Sequence, residues 1–174
     1  MKLIKSHMKP QDIVVILGIL CKGKVKWTQL DMAEALGMSQ SEISESVNRS
    51  KYAGLLDYKG KEVMKRSFLD FLEHGLKYVF PQRPGPIMRG VPTSHSAPPL
   101  SDDIVSNEAY VWPYAKGQVR GQSIQPLYAS VPSAALRDNI LHEWLALVDA
   151  MRVGRAREKE LALFELKERL SIGK

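Results

Sequence analysis

The run Ser94-His95-Ser96 sets hydroxyl nucleophiles beside a base, the pairing that acyl transfer uses. Its surroundings argue against that chemistry. No Gly-x-Ser-x-Gly elbow frames the serines, and no acidic residue follows until Asp102 and Asp103. A histidine in such a Pro-rich loop reads as a hydrogen-bonding loop residue. The four histidines, His7, His74, His95 and His142, have no metal-ligand spacing with one another or with Cys21. No glycine-rich phosphate loop occurs. The sequence therefore predicts no enzyme, no metal and no cofactor. What remains is non-covalent recognition. Thr28, Ser39, Gln40, Ser41, Ser44, Glu45 and Asn48 carry hydrogen-bonding side chains, and Arg49, Lys51, Lys59 and Lys61 follow them with positive charge.

Two short helices and a tight turn must position these residues. Thr28 is the N-cap of a helix over 28–36, and a third helix runs over 40–53. Ala33 falls where the two helices come closest. Gly37, four residues on, falls in the turn, where a left-handed backbone is cheap only for glycine. Ser39 and Glu42 form a Ser-x-x-Glu capping box. Ile43 and Val47 lie one helical turn apart and face a core that Met32, Leu36 and Met38 complete. Before this unit, Pro10 starts a helix, Gly23 ends it, and Ile13, Val14, Ile16, Leu17 and Leu20 make it apolar on most sides. After it, Leu55–Tyr58 and Glu62–Lys65 read as two short strands of a hairpin with Lys59-Gly60-Lys61 at its tip. Ser67 to Val79 reads as a helix.

Over residues 10–80 the chain resembles the winged helix-turn-helix regulators of bacteria and archaea, broadly the MarR-like group. The resemblance rests on Leu36-Gly37-Met38-Ser39-Gln40-Ser41-Glu42-Ile43-Ser44, followed by Lys51-Tyr52-Ala53-Gly54-Leu55-Leu56. It implies a helix whose N-terminal end enters a DNA major groove. Gln40 and Asn48 would then pair with adenine, Glu45 would accept from cytosine, and Ser39, Ser41 and Ser44 would tolerate several bases. Arg49, Lys51, Lys59, Lys61 and the helix start at Thr28 would touch phosphates. Three departures stand out. Ser46 and Ser50 occupy positions usually taken by apolar residues, so the recognition helix is expected to be less firmly seated. Glu42 and Glu45 bring negative charge near the DNA-facing end, and capping accounts only for Glu42. The wing is short.

The whole chain has 174 residues, 44% hydrophobic and 25% charged, which suits a folded domain or a small domain with an appendage. Residues 1–80 hold 13 Lys/Arg and 9 Asp/Glu, so +4 of the net +6 lies with the candidate DNA-binding unit. Residues 81–132 contain nine of the ten prolines yet keep Tyr110, Val111, Trp112, Tyr114, Ile124, Leu127 and Tyr128. Disordered linkers are poor in aromatics, so an ordered, extended arm is expected, with short strands near 109–114 and 124–129. Residues 133–174 return to helix: Ile140, Leu141, Trp144, Leu145, Leu147, Val148 and Met151 form a broad stripe, Gly154 breaks it, and a charged helix follows with two partial stripes, Leu161/Phe164 and Leu163/Leu166/Leu170.

The expected fold is mainly α: a winged helix-turn-helix domain (1–80), a Pro-rich arm packed on the body (81–132), and a C-terminal helical region for dimerisation or partner binding (133–174). No apolar run spans a bilayer, no signal-peptide cleavage site follows Met1–Lys5, and lone Cys21 suits a reducing compartment, so a cytoplasmic protein is expected. The function implied is sequence-specific binding of double-stranded DNA by a homodimer that regulates transcription. The alternatives are a protein-interaction adaptor, partner-binding or antitoxin-like, that uses the winged helix as a scaffold, and an RNA-binding winged helix.

Overall fold

The computed structural model describes residues 7–173; the Met1–Lys5 start considered for a leader lies outside them. The fold is mainly α with a small three-stranded sheet. The first helix, α1 (Pro10–Lys22), has Pro10 in its first turn and Gly23 as its C-cap. Ile13, Val14, Val15, Ile16 and Leu17 are all fully buried, so α1 lies at the centre of its surroundings. The next two helices, α2 (Gln29–Leu36) and α3 (Gln40–Tyr52), form as the sequence predicts. Thr28 caps α2 and Ser39 caps α3, each in a reciprocal capping box, and Gly37 takes the left-handed conformation at φ +66°. Ile43, Val47, Met32, Leu36 and Met38 are buried.

The core under α3 is partly ionic. Asp12 of α1 is fully buried and receives Arg49 Nε at 2.9 Å and Nη2 at 2.7 Å, Ser46 Oγ at 2.8 Å, and the Lys9 N–H at 2.8 Å. A buried carboxylate persists only when such partners replace its water. This corrects two expectations. Ser46 does not loosen α3; its hydroxyl is one of the bonds that seats it. Arg49 is 4% exposed and spends its guanidinium on Asp12.

The expected hairpin after α3 forms only as a minimal antiparallel pairing, with Asp57 N donating to the Glu62 carbonyl and Met64 N to the Leu55 carbonyl, each at 2.9 Å. Leu56 and Val63 make a single isolated bridge. The Asp57 carboxylate accepts the N–H groups of Lys59, Lys61 and Glu62, which winds the segment tightly. Lys65, expected in a strand, begins α4 (Lys65–Asp70), which continues through a π-helical turn (Phe71–Gly75) into α5 (Leu76–Val79). Phe68, Leu69, Leu72 and Leu76 are the buried face.

Residues 81–132 hold a closed three-stranded sheet, and the strand expected near 109–114 is one of its members. The strands are β1 (Ile87–Pro92), β2 (Tyr110–Pro113) and β3 (Val119–Ser123), and each pairs with both others. β1 is antiparallel to β2 and β3, and β2 runs parallel to β3. Gly90 pairs with both Pro113 and Val119, so β1 passes from one neighbour to the other there. A Cβ at Gly90 would lie 1.9 Å from the Trp112 carbonyl oxygen, so only glycine permits this closure. The second strand expected at 124–129 lies earlier, at 119–123, and β1 was not expected at all. Gly90, Pro92 and the polar run Val119–Ser123 hide the alternation that would announce them.

Helices α6 (Val131–Arg137), α7 (Asn139–Val153) and α8 (Ala156–Leu170) complete the chain. Every residue from Trp144 to Arg152 of α7 is buried. The helix packs on α1, α5, α6 and α8, and on the turn Ser94–Ser96. Its apolar stripe is covered within the chain except at Ile140, which is 59% exposed, and the hydrophobic core runs continuously from α1 through β2 to α7 and α8. The polar residues of α7 are paired as well. Asp149 accepts from Trp112 Nε1 at 2.6 Å, Thr93 Oγ1 at 2.8 Å and Arg152 Nη1 at 2.9 Å.

Removing one partner of a buried ion pair strands the other charge. Arg49→Ala is expected to lower stability by about 3–5 kcal/mol in urea unfolding. Asp12→Leu combined with Arg49→Met is expected to recover most of that loss. A single-variant loss below about 1 kcal/mol would show that Asp12 does not need this partner.

Candidate nucleic-acid interface

The surface of α3 divides by helical period. Ile43, Ser46, Val47 and Ser50 face inward, while Ser41, Glu45, Asn48 and Tyr52, spaced by about one turn, face outward and are exposed. Gln40 is exposed at the start of the helix and Ser44 is half-buried beside the outward stripe. The fold therefore brings Gln40, Ser41, Ser44, Glu45 and Asn48 onto one accessible face. Glu45 lies 3.6 Å from Arg49 Nη1, so part of its charge is answered by the buried guanidinium.

The other sequence-predicted residues stand differently. Thr28 and Ser39 spend their hydroxyls and backbone N–H groups in capping. Thr28 N donates to Asp31 at 2.7 Å, and Ser39 N donates to Glu42 at 2.9 Å. The capping boxes spend the N–H groups of Thr28, Asp31, Ser39 and Glu42. Arg49 is buried against Asp12 and cannot reach a backbone phosphate. Lys51 is half-buried under the turn, where a Cβ on Gly60 would come within 3.1 Å of its Cδ. Lys61 Nζ bonds the Trp27 carbonyl at 3.0 Å and sits 3.9 Å from the centre of the Trp27 ring. Lys59 is exposed, with its ammonium 5.4 Å from the Tyr58 ring.

One contact at this face was invisible in the sequence. Tyr128, from the segment after β3, donates its hydroxyl to Glu42 Oε1, while Glu42 Oε2 accepts from Ser39. Ser130 Oγ donates to the Leu36 carbonyl at 2.5 Å and closes over Gly37. A Cβ on Gly37 would lie 3.1 Å from Ser130 Cβ, so this glycine serves both the turn and the docking of the later segment. Only the aromatic character of Tyr128 signalled a role, and no sequence pattern names a partner 86 residues away. The hydrogen bond from Tyr128, followed by those from Ser39, holds the Glu42 carboxyl below its ordinary range. The same bond pushes the Tyr128 hydroxyl up.

Ser94 and His95 are buried, and His95 Nε2 donates to the Glu108 carbonyl at 2.8 Å. Burial, with Asp138 nearby, pushes the Cys21 thiol up to about 12, the opposite of an activated nucleophile. Among the described residues, no group of three or more His, Cys, Asp or Glu is arranged to hold a metal ion, and no helix is long and apolar enough to cross a membrane.

No protein-family model, curated protein or solved structure matches the chain. Its functional reading therefore rests on its own geometry. That geometry offers amide, hydroxyl and carboxylate groups on a firmly held helix, with Lys59 beside them.

A carboxyl whose pKa is depressed on folding adds stability above its unfolded pKa, and loses it as pH falls through the folded value. Tyr128→Phe removes the largest cause at Glu42. Its titration, followed by carboxyl carbon NMR, is expected to move up toward the ordinary glutamate range, and the acid side of the stability profile to shift with it. An unmoved Glu42 titration would remove Tyr128 from this contact.

Proposed function

We propose that the protein is a winged helix-turn-helix regulator that binds duplex DNA through α3, with the turn around Lys59 as a short wing. The observation that carries this reading is the accessible face of Gln40, Ser41, Ser44, Glu45 and Asn48, held against a core by the Asp12–Arg49 pair behind it. Asn48 and Gln40 supply the paired donor and acceptor that adenine requires, and Glu45 supplies an acceptor for cytosine. Lys59 is the phosphate contact of this interface. Arg49 instead acts from behind, as the residue that fixes the helix. The reading carries with it a cytoplasmic protein. It also carries a homodimer, for which Phe164 of α8 and Ile140 of α7, 61% and 59% exposed, are uncovered apolar side chains.

A protein-interaction adaptor is the second reading. Tyr52 and Tyr58, 66% and 80% exposed near the same face, favour it, because exposed aromatics anchor protein interfaces.

Selection from random duplex DNA at physiological salt separates the two. Enrichment of one motif supports the regulator, and two half-sites one helical turn apart support its dimer. Asn48→Ala is then expected to relax one base position by about 1–3 kcal/mol. Lys59→Ala is expected to weaken all sequences alike and to lower the salt slope by about one unit, with a smaller effect from Lys61→Ala. Absence of any enriched motif overturns the regulator and leaves the adaptor.

A further inference from the structure

The strands of the closed sheet come from stretches that carry positive charge and no acid. Residues 74–101 and 109–137 hold six Lys/Arg and no Asp/Glu, which leaves the rest of the chain with equal numbers of each sign. β1 lies in the first stretch, and β2 and β3 lie in the second. Antiparallel register sets Arg89 of β1 directly opposite Arg120 of β3, so the two side chains leave the same face. Both are exposed. Among the described residues neither makes an ion pair, and that includes exposed Glu108 just before β2. Tyr114 N donates to the Arg89 carbonyl at 3.0 Å, and Gly117 closes on Gly90. The β2–β3 turn, with exposed Lys116, therefore folds beside the pair.

Like charges directly opposite one another destabilise a sheet. The chain supplies no carboxylate to bridge these two, so an anion from outside would relieve the repulsion. Two guanidinium groups side by side present forked donors that match phosphate oxygens. Tyr110 and Trp112 of the sheet are buried. Beyond Ile87 and Met88 at the start of β1, this face thus offers charge rather than the aromatic anchors of a protein interface. The second acid-free stretch also runs directly to α3. Tyr128 bonds Glu42, Ser130 bonds the Leu36 carbonyl, and exposed Arg137 donates from Nη2 to the Ala35 carbonyl at 3.5 Å. From Arg120 to Tyr128 the chain reaches at most about 29 Å. One turn of a duplex is about 34 Å. The arginine pair and the start of α3 therefore lie within about one duplex turn of each other.

We infer that the β1–β3 face is a backbone clamp for duplex DNA, in which Arg89 and Arg120, with Lys116 beside them, hold phosphates flanking the bases that face α3. The choice of a duplex as partner rests on the α3 reading. The clamp itself reads no sequence.

The test titrates the full chain with a mixed-sequence duplex of about 30 base pairs and follows the amide signals of Arg89 and Arg120 by NMR, beside those of Gln40 and Asn48. Both sets are expected to move. Arg89→Gln with Arg120→Gln is expected to lower the slope of log affinity against log salt by about two units, because two phosphates lose their partners. The Trp112 indole N–H, committed to Asp149, reports that the sheet is intact in this variant. If the variant loses that signal, the shifts of the unaltered chain decide without it. Arg157→Gln with Lys159→Gln removes the same charge from α8 and is expected to lower the slope by a clearly smaller amount. Movement of Arg89 and Arg120 with Gln40 and Asn48 unmoved upholds the clamp and overturns the α3 reading. The reverse pattern, an unchanged slope in the β1–β3 variant, or an equal loss in the α8 variant overturns the clamp alone. If neither set of signals moves, both fall. Poly-L-glutamate that displaces the duplex at equal charge concentration assigns the face to an acidic protein and overturns the duplex clamp.

Discussion

Everything in this structure is arranged around a helix that has no outer side over its second half. From Trp144 to Arg152, α7 is enclosed by α1, α5, α6, α8 and the turn after β1. A helix buried all round cannot leave charges unanswered, yet it carries Asp149 and Arg152. The solution is to make the charges into joints. Asp149 collects Trp112 and Thr93 from the strand region, and Arg152 bonds the Phe80 and Gln125 carbonyls. The small sheet is therefore held to the helical body by directed bonds as well as by apolar contact. The Asp12–Arg49 pair repeats the device between α1 and α3, where it fixes the orientation of the candidate reading face.

This arrangement decides which charges are available for binding. By residue type, Arg49, Lys51, Lys59 and Lys61 look equivalent. By partner they are four different groups: one buried in an ion pair, one half-covered by the turn, one exposed beside Tyr58, and one seated on Trp27. Side-chain chemistry sets what a residue can do, and its neighbours decide whether it is free to do it.

The same distinction explains what the sequence made legible. The N-cap at Thr28, the capping box at Ser39, the left-handed Gly37, the Gly23 stop and the apolar spacing of α1 to α3 are all local. Their physics is complete within a few residues, so they could be read directly. The face of Gln40, Ser41, Ser44, Glu45 and Asn48 followed from that local period. The closed sheet could not be read, because β1 takes its partners from strands 19 to 35 residues further on and its own residues include Gly90 and Pro92. The burial of Arg49, the perch of Lys61 and the Tyr128–Glu42 bond all depend on a partner distant in sequence.

The Tyr128–Glu42 bond also sets a sequence in time. The chain is made from its N-terminus, and 86 residues separate the two partners. At ordinary rates of synthesis the interval is roughly 4–17 s. During it, α2 and α3 have their own caps and their own turn, but Glu42 has no phenol and Leu36 has no hydroxyl from Ser130. The helix pair is thus born in one state and finished in another, and its finished surface exists only once the far end of the chain has arrived to close it.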